Sequence, residues 1–358
     1  MVKLWHMNPD ENGVIYKVRN MLCAESEDAV PQYLWTFKGT IQALSADEDL
    51  RPGAKVMDFG LLDIAPLFCD YHLHFSLKSD IAIEDSGRQL LCHGIGTVFD
   101  GGDKDCYGVS VRDKQKERPE IRSAGYALFR KGGYGAAIGQ GVESVEGAVV
   151  AIDELQSRSV DYIKIINSGI FDPESGQLTS GGFDARELDR IVDHARSRGL
   201  DVYCHANGDR AVKDAVDAGV TAIIHGLHVS GPTLSAMAAN NVSFIPTMNA
   251  FQSLGAVARS DRGHVNISSA VSGHMAAVRK AYDLGVKILP GSDAGPRFLP
   301  YGSSYLAELR LFEQAGIPYI GILRAASMTA LQVNAPADFV VLDGLSVRSV
   351  VVNGKVLS

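Results

Sequence analysis

The chain has 358 residues, 46% hydrophobic and 21% charged, an ordinary globular composition with length for one large domain, with or without a small companion. Acidic side chains outnumber basic ones 42 to 34 for a net charge of -8, and no stretch gathers Lys and Arg into a basic face, which argues against a nucleic-acid partner. The five cysteines (Cys23, Cys69, Cys92, Cys106 and Cys204) are too scattered for a bridge framework or a zinc ribbon and suit a reducing compartment.

The opening residues MVKLWHMNPDENG lack the apolar run of a signal peptide. Nowhere is there an apolar stretch of the roughly 18 residues that a membrane helix needs. A soluble, cytoplasmic protein without a membrane partner is expected. Residues 14–58 then hold VIYKVRNMLC, YLWTFKGTIQALS and KVMDFG, short alternating strands between polar turns.

From residue 61 the pattern changes. Eight short β-branched runs follow, at 61–70, 96–100, 121–128, 161–166, 200–204, 221–226, 242–246 and 286–291. Between most of them lie helical periodicities, such as 145–159, 183–199 and 272–285. Strand, helix, strand at this rhythm predicts parallel βαβ units, and several runs are apolar throughout, as strands covered on both faces are. Eight such units match a (β/α)8 TIM-type barrel. The closing stretch 337–358 returns to short strands, with a hairpin signal at Asn353-Gly354. The predicted architecture is α/β: a barrel over 66–330 and a small β-sandwich domain formed from both chain ends, 1–65 plus 331–358. The alternative is that each end merely decorates the barrel edge.

Asp70-Tyr71-His72-Leu73-His74 closes the first barrel run. Residues i and i+2 of a strand face one side, so both imidazoles would enter the barrel mouth as metal ligands, or serve as two structural histidines. Lys164 stands inside the apolar run DYIKII, where a lysine is costly unless paired or neutral. It either snorkels or pairs, or its desolvated amine reacts with carbon dioxide to give an anionic carbamate ligand. His205 and His225, 20 residues apart, close two successive strands at equivalent positions. Asp293 ends the eighth. Such a set of imidazole and carboxylate donors favours zinc, with manganese, iron or cobalt as alternatives. His228 lies near the mouth as a substrate contact or a loop residue; His6, His93, His194, His264 and His274 have no strand-end placement.

The order APLFCDYHLHF, HGIGTVFDGG, DYIKIINSG, DVYCHANGDRAVKDAVDAGVTAIIHG, NVSFIPT, GVKILPGSDAG, ADFVVLDG and VVVNGKV resembles the amidohydrolase superfamily, within it the imidazolonepropionase-like and prolidase-like metal-dependent hydrolases. The resemblance implies two metal ions, most simply zinc. His72 and His74 would hold the buried ion with Asp293, carboxylated Lys164 would bridge, and His205 and His225 would hold the second. Mononuclear deaminases of the superfamily carry a Glu three residues past the fifth-strand histidine, where this chain has Gly208. Phe68-Cys69-Asp70 and the short segment after the last helix depart from the usual pattern.

The expected activity is hydrolysis of a C–N amide-type bond in a small molecule by a metal-bridging hydroxide. Asp293 would move the proton and His228 would polarise the carbonyl. Tyr134, Asn167, Ser168, Arg210 and Arg297 are reachable from the strand-end loops. An arginine there would hold a carboxylate, as in an N-acyl amino acid or dipeptide; a cyclic amide is the other candidate. A lactonase or phosphotriesterase, a cyclic amidine deaminase, or a non-catalytic assembly or binding barrel are the alternatives. A homo-oligomer is expected.

Overall fold

The computed structural model describes residues 13–22, 33–46, 53–75, 83–114 and 119–357; the amino terminus, with His6, and Cys23 lie outside them. The chain divides into two compact units. One comprises Met1–Cys69, Arg88–Gly96 and Pro318–Ser358, the other Asp70–Gly87 and Thr97–Ile317.

Two sheets build the first unit. One runs Thr40–Ser45, Tyr33–Phe37, Val14–Lys17, Lys55–Asp58; the other runs Asn20–Met21, Asp63–Pro66, Phe339–Asp343, Ser346–Val352, Lys355–Val356. The two chain ends meet in the second sheet, where Ala65 pairs antiparallel with Val340. At the predicted hairpin Asn353 and Gly354 have φ of 49° and 72°, and Val352 pairs with Lys355 across the turn. Two positive φ values in succession are what the right-handed twist of the flanking strands requires of a two-residue turn. One apolar cluster draws Tyr16, Leu34 and Ile41 from the first sheet and Ile64, Phe339 and Val351 from the second. The Tyr16 ring meets Phe339 edge-on, centroids 5.0 Å apart. Loss of one such buried aromatic ring typically costs about 3–5 kcal/mol, so each end of the chain is held by the other.

The run 61–70, read as a single strand, is two: Asp63–Pro66 and Phe68–Leu73. Pro66 lacks the N–H needed to extend its ladder, and the chain changes partners there.

The second unit is parallel α/β. Ala127–Arg130, Ile163–Ile166, Val202–Ala206, Ala222–His225 and Ser243–Ile245 pair in that order, all parallel. Ile95–Asp100 pairs parallel with Glu120–Ser123. The run 121–128 is interrupted by Gly125, whose φ of 72° suits glycine. The run 286–291 forms no continuous strand, yet it connects both neighbours. The Phe244 amide donates to the Lys287 carbonyl and the Leu289 amide to Phe244, while Tyr71 and Asp293 amides donate to the Pro290 and His72 carbonyls. Hydrogen bonds therefore pass from the seventh run through the eighth to the first.

Helices begin where their caps dictate. Ser144 accepts from the Gly147 amide at the start of Val145–Ser157, and Asp184 with Glu187 makes a capping box on Ala185–Ser197. Leu188, Ile191, Val192 and Ala195 form the buried stripe of the latter helix. The helix expected over 272–285 starts earlier, as Asp261–Asp283, because Ser260 caps it through the Gly263 amide.

Glu308 of helix Ser303–Gln314 is fully buried and accepts the Met248 and Asn249 amides at 2.9 and 2.7 Å, tying down the start of helix Met248–Ser253. Burial pushes its pKa from 4.5 to about 8. Between those values the unfolded chain ionises while the folded carboxyl stays protonated, so its stabilising contribution is present below pH 4.5 and is lost as pH rises through about 8. Thermal unfolding of metal-stripped Glu308→Gln against the parent should therefore show the Tm difference moving in favour of the variant from pH 5 to pH 8. A pH-independent difference would refute this assignment.

Candidate metal centre

Parallel strands deliver their carboxyl ends to one edge; His72, His74, His205 and His225 lie there, with Asp293 in the loop after the eighth run and Lys164 within Ile163–Ile166. His72 Nε2 is 3.2 Å from Asp293 Oδ1 and His74 Nε2 is 3.9 Å from the same oxygen. One donor atom from each of these three residues lies within 4.8 Å of the others. The His205 and His225 rings are 4.6 Å apart, and His225 is 5.7 Å from His72. With Lys164, all six candidate ligands face one cavity of about 220 Å³.

Three of the four imidazoles, those of His74, His205 and His225, are aimed by their other nitrogen, the arrangement metal-binding histidines use, whereas His72 Nδ1 is buried with no partner among the described residues. His74 Nδ1–H donates to the Gly102 carbonyl at 3.1 Å, leaving Nε2 toward Asp293. His205 Nε2–H donates to the Gly169 carbonyl at 3.0 Å, and His225 Nδ1 bonds the Thr247 hydroxyl at 2.7 Å. Burial lowers the pKa of all four imidazoles, that of His205 to about 4. They are neutral at physiological pH, the form that donates to a metal. Lys164 is 1% exposed, and its Nζ has no hydrogen-bond partner among the described residues. Burial lowers its pKa to about 7.

Several residues that support these groups carried no assigned role in the sequence. Asp70 accepts from the Ser292 amide and hydroxyl at 2.9 and 2.5 Å and from the His72 amide at 3.2 Å, joining the His72 strand to the Asp293 loop. Its signal was available: Asp70 is two residues before His72 and shares its face. Gly101 is a matter of space, since a Cβ there would come within 2.6 Å of His74 and 2.8 Å of His72. Thr247 and Asn207 are polar residues in strand-end loops, with no sequence pattern that separates them from ordinary turn formers.

Tyr134 lines the cavity, its ring 5.4 Å from His205. Of the other expected substrate contacts, His228, Arg210 and Arg297 are not among the described residues lining this cavity. His228 follows a loop that turns left-handed at Gly226 and again at His228 itself (φ of 61° and 64°); its exposed ring lies edge-on to Phe171, centroids 6.4 Å apart. Arg210 projects from helix Asp209–Asp217 at 93% exposure and reaches Asp214 one turn on. Arg297 is an exposed loop residue. Asn167 and Ser168 build the loop itself: Asn167 Oδ1 accepts the Phe183 amide and Ser168 Oγ accepts the Asn207 amide.

Comparison with known proteins bears on the family and the fold. The model of the amidohydrolase family matches residues 64–357. An uncharacterized protein of Mycobacterium tuberculosis is 24% identical over 275 residues, covering 73% of this chain and 70% of its own. Among solved structures, a Xaa-Pro dipeptidase with bound methionine superposes with a TM-score of 0.80 at 20% identity, over 96% of this chain and 99% of that one. A putative prolidase from Bifidobacterium longum gives 0.79 at 22% identity, over 98% and 95%.

Proposed function

The chain belongs to the amidohydrolase family, and from that premise we propose that it hydrolyses an amide-type C–N bond in a small molecule at a two-metal centre built on His72, His74, Lys164, His205, His225 and Asp293. The observation that carries the reading is the convergence of His72, His74 and Asp293 donor atoms within 4.8 Å. The partnerless, buried Lys164 Nζ fits the same centre, as a group whose counterpart is an added ligand.

In this reading His72, His74 and Asp293 would hold one ion, His205 and His225 would hold the other, and Lys164, carboxylated, would supply an anionic oxygen donor to the centre. The carbamate forms when the neutral amine attacks carbon dioxide: a C–N bond forms, a C=O electron pair moves to oxygen, and one proton leaves. The nitrogen and oxygen donors suit zinc. Bound divalent ions supply an acidified water and polarise a substrate carbonyl. Asp293 is the donor open to water, its side chain 23% exposed against 1% and 4% for His72 and His74. It takes the proton of the attacking water and passes it to the leaving nitrogen. Asp70 and Ser292 hold the Asp293 loop in place. The hydrogen bonds around the parallel unit support a closed (β/α)8 barrel spanning about 66–330. The shared core of the two end sheets supports a β sandwich from 1–65 and 331–358. The described cysteines are all free thiols, which accords with a reducing compartment.

The test is turnover of an amide, ester, lactone and phosphotriester panel by zinc-loaded and chelator-stripped protein. Amide cleavage that disappears on stripping and returns with zinc is expected. Cleavage of lactones or phosphotriesters without any amide cleavage would reject the amide assignment.

A further inference from the structure

We propose that the site selects neutral, apolar amides and discriminates against substrates that carry a carboxylate beside the scissile bond. This deepens the amide-hydrolase reading and rests on it.

The argument comes from what remains of the cavity wall once the six candidate ligands are set aside. The wall is then mainly apolar, with Ile138, Ile170, Phe171, Phe251, Leu254 and Phe298 prominent. Its polar residues are Tyr134 and Asn207. Asn207 is already engaged: its Oδ1 accepts the Leu227 amide at 3.0 Å, and its Nδ2 faces the Gly169 carbonyl at 3.4 Å. That leaves one phenol for directional recognition.

Among the described residues no arginine lines the cavity, and the lysine that does is the candidate ligand Lys164. Recognition of a buried carboxylate calls for a cation or several convergent N–H groups, because a carboxylate that leaves water unpaired loses its hydration without replacement. An aryl or alkyl group meets the opposite conditions, as each methylene buried against such a wall improves binding by about fourfold. The dipeptides and N-acyl amino acids suggested by arginines in the sequence are thus disfavoured, and amides flanked by uncharged apolar groups take their place.

The experiment compares an N-acyl amino acid with its C-terminal carboxamide, which have the same acyl group and the same scissile bond. With zinc-loaded protein, kcat/KM for the carboxamide should exceed that for the acid by at least roughly tenfold. Equal rates, or a faster acid, would overturn the inference while leaving amide hydrolysis intact. If only lactones are cleaved, the amide reading fails, and a neutral and a carboxylated lactone then measure the charge preference by itself. If nothing turns over, the two amides are compared as ligands by the Tm shift they give the loaded protein; a larger shift from the acid overturns the inference. Ile170 is 39% exposed at the cavity, so Ile170→Arg adds a cation there with little packing to lose. It should move the preference toward the acid by about tenfold or more. Arg297→Ala checks whether that arginine swings inward, and a loss confined to the acid would also count against the inference.

Discussion

Asp293→Asn should lower turnover by roughly 10²–10⁴-fold while metal content stays close to that of the parent. The substitution retains the shape of the side chain and one oxygen facing His72, at the position where Oδ1 stands 3.2 Å from Nε2. What it removes is the negative charge and the ability to accept a proton. Asp293 has a φ of 52°, in the left-handed region where Asn is as well tolerated as Asp, so the loop has no reason to rearrange. Proton transfer by a positioned side chain contributes roughly 10²–10⁴-fold, and kcat should fall by that order. Elemental analysis of the same preparation separates this result from metal loss. A fall of less than about tenfold with metal retained would remove Asp293 from the proton path.

Lys164→Met should separate stability from metal binding. Methionine occupies a similar volume and needs no partner, whereas the native amine is buried without one among the described residues, and that burial lowers its pKa to about 7. The stripped variant should therefore melt at or above the Tm of the stripped parent. Loaded with zinc, it should bind no more than one ion per chain. Activity should fall by roughly 10³-fold or more, equivalent to about 4 kcal/mol of barrier. A stripped variant that melts well below the parent would mean that Lys164 contributes to packing in its own right, and full metal content would exclude the ligand role.

The sequence was most legible where geometry is local. His72 and His74 could be paired because a strand repeats every two residues, and His205 with His225 because one helix separates two strand ends. Asn353-Gly354 set its own turn. Less accessible were features decided by distant partners. The break at Pro66 follows from pairing with Phe339–Asp343, nearly three hundred residues away in the chain. The burial of Glu308 depends on two amides sixty positions earlier. Arginine direction was not legible: spacing places Arg210 and Arg297 after strand ends, but side-chain orientation depends on helix phase and loop twist that residue spacing does not encode.

His225, Thr247 and Asp293 all have left-handed backbone, with φ of 72°, 49° and 52°. For Thr, branched at Cβ, this conformation is a genuine outlier, and such strain persists only where the surroundings over-determine it. Here the surroundings include the Glu308 contacts beside Thr247, a His274 bond to the Pro246 carbonyl at 2.9 Å, and the Ser292–Asp70 pair beside Asp293. These contacts hold the candidate donor residues in backbone conformations that they do not prefer. Ions would then be sorted by their fit to a rigid aperture rather than drawing the protein around themselves. The apolar wall is under no such constraint, so Ile170 or Phe298 could be exchanged in descent, changing the diet of the enzyme while its chemical apparatus stays fixed.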